Sequence, residues 1–265
     1  MSELNTKGLD ATKVQLEEDV RRTSDAIRLR YRENRDWRLY PKEWIFKNIA
    51  LEGKDVLEFG CGTGEMATQI AFLGANQVYA LDVTPELLDA TRLRAELDGV
   101  TDRIQTLRGP IQDLEPRPVD VIIAFAVLHH CFPLENTMPG LLRWLKPGGV
   151  FVAVEPVTYL APLEWLRNRS GLPVGPLDEG ERKLEAEDLK YVKSHFSRSQ
   201  TVHFRMLGRL SRIWLKHDRL FRQMDSVILS VPMAWKFAGT TLFVGQSRQG
   251  NDQSVEEKSG AGPLK

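Results

Sequence analysis

Between residues 54 and 156 short apolar runs alternate with stretches of helical period, a pattern that predicts an α/β domain with a mostly parallel sheet covered on both faces. The runs DVLEF (55–59), QVYALD (77–82), RIQTL (103–107), VDVIIAFAVL (119–128) and GVFVAVE (149–155) predict five strands. Helices are predicted between them over 65–73, 85–97 and 134–145. Thr84 stands as N-cap before Pro85 at the first helical position, and the Lys146-Pro-Gly-Gly149 run reads as the turn that ends the last helix. Ahead of this block, 9–49 reads as helical, with arginines from Arg21 to Arg38 interleaved with Tyr31, Trp37, Tyr40 and Trp44. Beyond Pro156 the period loosens: 157–180 is rich in Pro and Gly, 181–195 reads as a helix, 201–207 as a strand, 208–224 as an amphipathic helix and 239–247 as a last strand, antiparallel to the rest. The organisation expected is a helical N-terminal cap (1–49), a main domain (50–248) with an insertion at 157–238, and a disordered tail (249–265) with almost nothing to bury.

Charge narrows the function classes. Lys+Arg and Asp+Glu both number 36, so the net charge is zero, and a histone-like or RNA-coating role has no global field to support it. Two cysteines, Cys61 and Cys131, are too few for a disulfide framework or a Cys-based zinc site, which suits a reducing cytoplasm. The start is polar, without the apolar core of a secretory leader. The longest apolar run, VIIAFAVL, falls far short of the ~20 residues that span a bilayer. No transmembrane segment is expected, although peripheral membrane contact stays open.

The segment DVLEFGCGTGEM runs a strand into Gly60, Gly62 and Gly64 and then into a helix. Alternating glycines let a ligand approach the backbone, and loops at this place in an open α/β sheet usually hold a nucleotide-containing cofactor. A dinucleotide fingerprint would need glycine at 65, where Glu65 stands, and the P-loop pattern is absent. Between Asp55 and Thr91 there is no Lys, Arg or His, while Glu58, Glu65, Asp82 and their acidic neighbours remain. Such a surface repels a pyrophosphate and attracts a ligand carrying an ammonium and a sulfonium, which describes S-adenosylmethionine. Asp82, ending the second strand, is then placed for the ribose hydroxyls.

VLEFGCGTG (56–64), YALDVT (79–84), VDVIIAFAVLHH (119–130) and LKPGGVFVAVEP (145–156) together resemble the class I S-adenosylmethionine-dependent methyltransferases, over about residues 50–250. The resemblance implies an open, doubly wound Rossmann-like sheet and a cofactor site built from Glu58, Gly60, Cys61, Gly62 and Gly64 at the methionine moiety. It further implies Asp82 at the ribose, Val83 packed on adenine, and Pro110, Ile111 and Gln112 closing over the base, with Ala126 beside the cofactor. Many relatives carry an acidic residue where this chain has Pro110, so the contact to the adenine amine falls to Gln112, Asp113 or backbone groups.

An acceptor hydroxyl must lose a proton, and His129 and His130, following the fourth strand, are candidate general bases, with Glu155 ending the neighbouring strand. On an extended segment adjacent residues face opposite ways, so one histidine is expected in the site. The Leu-His-His run is similar to that of small-molecule methyltransferases, including sugar O-methyltransferases, which implies a small-molecule acceptor methylated at oxygen. C- or N-methylation of a quinone-like, polyprenyl or amine acceptor is the alternative, and a cofactor- or RNA-binding protein of this fold without turnover is the reading from another class. No metal site is expected, because three consecutive residues cannot converge on one ion. Arg205, Arg209, Arg212, Lys216 and Arg219 recur at helical spacing, either as a solvated face or as a surface for anions, membrane headgroups included. Val227 to Phe237 is apolar enough to line an acceptor pocket or to bury the helix before it. The assembly is read as monomer or homodimer.

Overall fold

The computed structural model describes residues 40–160, Trp165, Arg169, 182–207 and 218–248. The expected cap before residue 40, with Tyr31 and Trp37, and the tail from 249 lie outside the described residues, as do most of 161–181 and all of 208–217.

Seven strands form one sheet: β1 (Asp55–Phe59), β2 (Gln77–Asp82), β3 (Ile104–Arg108), β4 (Val119–Phe125), β5 (Leu145–Pro156), β6 (Arg198–Phe204) and β7 (Thr240–Gln246), in the spatial order β3-β2-β1-β4-β5-β7-β6. The pairs through β5 are parallel, and β7 runs antiparallel between β5 and β6. Chain order reverses between β1 and β4, which opens a crevice at their carboxyl ends. The central strands are apolar on both faces because helices cover both. One face, including Val56, Val78, Ile123 and Val154, packs with α1 (Pro41–Asn48), α2 (Glu65–Phe72) and α3 (Pro85–Asp98). The other, including Leu57, Leu81, Ile122 and Phe151, packs with α4 (Leu134–Trp144) and α5 (Ala186–Ser194). A sixth helix, α6 (Asp218–Ile228), follows β6.

Local chemistry sets the ends. Helix α3 starts at Pro85 and stops at Gly99, left-handed at φ 67°, where the Val100 N–H donates to Ala95 O at 2.9 Å. Glu185 and Asp188 form a reciprocal capping box on α5.

Several boundaries differ from the sequence reading. Residues 101–103 are a 3₁₀ turn, so β3 starts at Ile104. Lys146–Gly149 is not a turn: it lies within β5, whose first residue pairs with Val119 through a register shift. β6 lies three residues earlier than expected and ends where Arg205 turns left-handed, φ 64°. Arg205 therefore stands off any helix, and of the proposed basic stripe only Arg219 lies on a described one. The fourth strand ends at Phe125 rather than at 128, a difference that reshapes the site.

Candidate functional site

The loop from β1 to α2 carries the three alternating glycines, all left-handed, with φ of 73°, 53° and 74° at Gly60, Gly62 and Gly64. A Cβ at Gly60 would sit 2.4 Å from the Val127 side chain, and one at Gly64 2.7 Å from Thr91, so both glycines permit close packing. A Cβ at Gly62 would meet nothing within 4 Å, so that residue faces open space at the crevice. Cys61 is buried within the loop, its sulfur 3.7 Å from Thr91 Oγ1. Burial and the nearby Glu58 charge push its thiol well above the ordinary range, which removes it as a nucleophile.

Asp82 braces this loop: Oδ2 accepts the Gly62 N–H at 3.0 Å and Oδ1 the Thr84 N–H at 2.9 Å. The half-buried carboxylate keeps further lone pairs for a ligand. Glu58 is buried, and its Oε2 has no hydrogen-bond partner within the protein. Burial pushes its pKa up to about 8, against the opposing pull of Lys42.

Around these acids the fold assembles cations that the local sequence lacks. Lys42 on α1 donates from Nζ to Glu65 Oε1 at 2.8 Å and lies 5.8 Å from the Phe125 ring centroid. Partial burial pushes the Glu65 pKa up, but Lys42 together with Arg94 and Gln69 brings it below the ordinary carboxylate range. Arg94 donates from Nε to Thr63 O at 3.0 Å, and Thr91 donates from Oγ1 to Gly62 O at 3.0 Å. The acid-only surface read from 55–91 is thus corrected: Glu65 is an ion-paired helix-start residue, and the acids left to a ligand are Glu58 and Asp82. Thr91 was detectable, because it lies on the inward stripe of α3 with Leu88 and Ala95, where a buried polar group needs a partner. Lys42 had no local signal, being 23 residues from Glu65.

On the far side of Asp82, Val83 is 63% exposed, an open apolar side chain at the end of β2. The Gly109 N–H donates to Asp82 O at 3.2 Å, bringing the segment after β3 alongside. There Pro110 and Gln112 are exposed, whereas Ile111 is a core residue packed toward Gly140, so only its backbone can reach a ligand.

After β4 the chain turns at Ala126, exposed and left-handed at φ 54°, and Leu128–His130 form a 3₁₀ turn. Glu155 shapes it: Oε1 accepts the N–H groups of Val127 at 2.9 Å and Leu128 at 2.7 Å, and Oε2 lies 2.8 Å from His129 Nδ1. The two histidines are therefore not on an extended segment, and their rings lie side by side with centroids 4.0 Å apart. His129 is buried and His130 exposed. With Glu155 ionised, His129 Nδ1 carries the proton and donates it, which leaves the Nε2 lone pair as the proton acceptor. Among the described residues no cluster of three metal-ligating side chains exists.

Residues 57–151 match the methyltransferase domain family. The sheet order and flanking helices are those of the Rossmann-like methyltransferase fold. The chain is 34% identical over 128 residues to a probable protein arginine N-methyltransferase 6 of Arabidopsis thaliana, a stretch covering 46% of this chain and 29% of that protein. Across the curated relatives described, the matched stretch spans 29% to 35% of their length. Among solved structures, a geranyl diphosphate methyltransferase aligns with TM-score 0.58 at 12% identity, covering 78% of this chain and 84% of that one. The [4+2]-cyclase SpnF aligns with TM-score 0.56 at 19% identity, covering 79% and 81%. At such identities the likeness establishes the fold, and one neighbour's name is that of a cyclase, so chemistry has to be argued from the site itself.

Proposed function

We propose that this protein is an S-adenosylmethionine-dependent methyltransferase acting on a hydroxyl oxygen of a small molecule. The observation that carries the reading is the left-handed glycine loop at the β1/β4 switch point, flanked by the buried Glu58, whose Oε2 has no partner, and by Asp82. A buried carboxyl oxygen without a partner in the protein suits a ligand that brings its own cation. Glu58 and the loop backbone would hold the ammonium end, Asp82 the ribose hydroxyls, and Val83 with the 110–112 segment the adenine. Lys42, beside the loop, would meet the ligand carboxylate. When bound, S-adenosylmethionine supplies an electrophilic methyl on a sulfonium.

The protein's own part is positioning and proton removal. The crevice fixes donor and acceptor in line, which can contribute about 7–11 kcal/mol. Glu155 holds His129 in the tautomer whose Nε2 can take the acceptor proton, and fixes the turn that carries it. General-base help of this kind contributes about 10²–10⁴-fold.

The relative named for arginine N-methylation raises a guanidinium acceptor as a second reading. A guanidinium needs carboxylates with uncommitted oxygens. Beside β4 both oxygens of Glu155 already serve the turn and His129, which favours a neutral hydroxyl.

A labelled-methyl assay over phenols, sugars, aliphatic alcohols and an arginine-rich peptide tests this. His129→Ala and Glu155→Gln are expected to cut turnover of the hydroxyl substrate by about 10²–10⁴-fold with donor affinity unchanged. Transfer to the arginine peptide alone, or full turnover in both variants, would refute the assignment.

A further inference from the structure

We infer that Tyr159, His203, Thr241 and Trp235 form the far end of the acceptor site, a subsite that binds a second, uncharged oxygen of an aromatic hydroxyl compound. The inference names the acceptor of the reaction proposed above and rests on that reading. It starts from the strand register. Glu155 on β5 lies opposite Thr241 on β7, and Thr241 lies opposite His203 on β6. Residues directly opposite share a face of the sheet, and one step inward on that face stand the core side chains Ala153 and Phe243. At the carboxyl end of β5 the apolar packing thus gives way to one row holding a carboxylate, a hydroxyl and an imidazole. The carboxylate holds His129, the base of the proposed reaction. The hydroxyl and the imidazole have no part in that step, although Thr241 is buried.

A hydrogen-bonded chain joins them. Thr241 Oγ1 lies 2.7 Å from the Tyr159 hydroxyl and 3.1 Å from His203 Nδ1. Neutral Tyr, Thr and His bring three polar hydrogens to these two contacts, so one stays uncommitted. When Thr241 donates to His203, it is the hydrogen on His203 Nε2; when Thr241 donates to Tyr159, it is the phenol hydrogen. Burial pushes the His203 pKa down to about 4 and that of Tyr159 up to about 12, so the chain is uncharged at neutral pH. An uncharged donor suits a carbonyl or hydroxyl oxygen, whereas a buried phosphate or carboxylate calls for a cation. Trp235 stacks on His203 with centroids 5.5 Å apart and meets Tyr159 edge-on at 4.9 Å, and all three rings are half-buried. Flat apolar surface beside the donor favours a planar ligand, and Trp235 gives the 227–237 stretch the pocket-lining part expected of it. Two strand spacings separate Glu155 from His203, about 10 Å. A molecule with its reacting hydroxyl at His129 and a second oxygen at this row is therefore longer than one ring.

Three probes test the subsite: para-phenylphenol, its para′-hydroxy derivative and its para′-carboxylate, which differ only in what they place at the far end. Quenching of tryptophan fluorescence reads binding, labelled-methyl transfer reads turnover, and circular dichroism of each variant verifies folding. The wild type is expected to bind the para′-hydroxy compound about three- to tenfold more tightly than para-phenylphenol, and the carboxylate more weakly than either. His203→Phe and Thr241→Val should each erase that preference while keeping the affinity for para-phenylphenol within about twofold. Failure of the para′-hydroxy compound to bind, a preference for the carboxylate, or a preference that survives both variants would overturn the inference. Intact preference without methyl transfer to any hydroxyl would count against the proposed function and leave the subsite standing. Transfer without preference would do the reverse.

Discussion

At the scale of single residues, the crevice is governed by two groups whose partners are missing or shared. Burial pushes the Glu58 carboxyl from its ordinary 4.5 up to about 8. Because the raised value means that the folded state keeps a proton the unfolded chain has lost, stability should fall as pH rises from about 4.5 toward 8. A ligand ammonium favours the ionised form, so donor binding near neutral pH should expel a proton. Calorimetric titration in buffers of different ionisation enthalpy checks this: heats should scale with the buffer, and Glu58→Gln should remove the dependence. Lys42 gives the complementary prediction. If its ammonium meets the ligand carboxylate, Lys42→Met should weaken S-adenosylhomocysteine by about 1.5–3 kcal/mol, the scale of a charged hydrogen bond. Methylthioadenosine, which lacks that carboxylate, should bind as before; an equal loss for both would mean that Lys42 only supports the loop through Glu65.

At the scale of elements, the parallel strands and the glycine turn were legible because apolar runs of strand length and alternating glycines are local signals. What escaped was set by distant groups. Nothing in AVLHH announces a 3₁₀ turn, since the acceptor that bends it is Glu155 on the next strand. The pairing of Glu65 with Lys42 was hidden in the same way, and with it the true charge of the loop. Of the acceptor-side additions only pieces were readable, because Arg205 ends a strand by a left-handed residue where the spacing suggested a helix. The glycine turn itself can be dissected. Both Gly60→Ala and Gly62→Ala carry the left-handed strain, of order 1–3 kcal/mol. Gly60→Ala adds a contact at 2.4 Å with Val127, while the new methyl at Gly62 meets nothing within 4 Å. Thermal unfolding should therefore show the larger loss at Gly60, whereas Gly62→Ala should spare stability more than donor binding. Equal losses in both would contradict this division of roles.

At the scale of the whole molecule, a neutral chain is divided into a generic half and a distinctive one. Strands β1 to β5 with their helices build a crevice where the strand order reverses, and acids flank its glycine loop. The β6–β7 side adds exposed apolar side chains, Leu220, Met224 and Val227 on α6 among them. Both the catalytic reading and the roles of Glu58 and Lys42 depend on what the crevice holds. The most direct measurement is calorimetric titration of the full chain with S-adenosylmethionine and, separately, with NAD. The donor should bind saturably and NAD should not, and Asp82→Ala should weaken the donor by about 1.5–3 kcal/mol. Saturable binding of NAD with no heat from S-adenosylmethionine would contradict the account at its root.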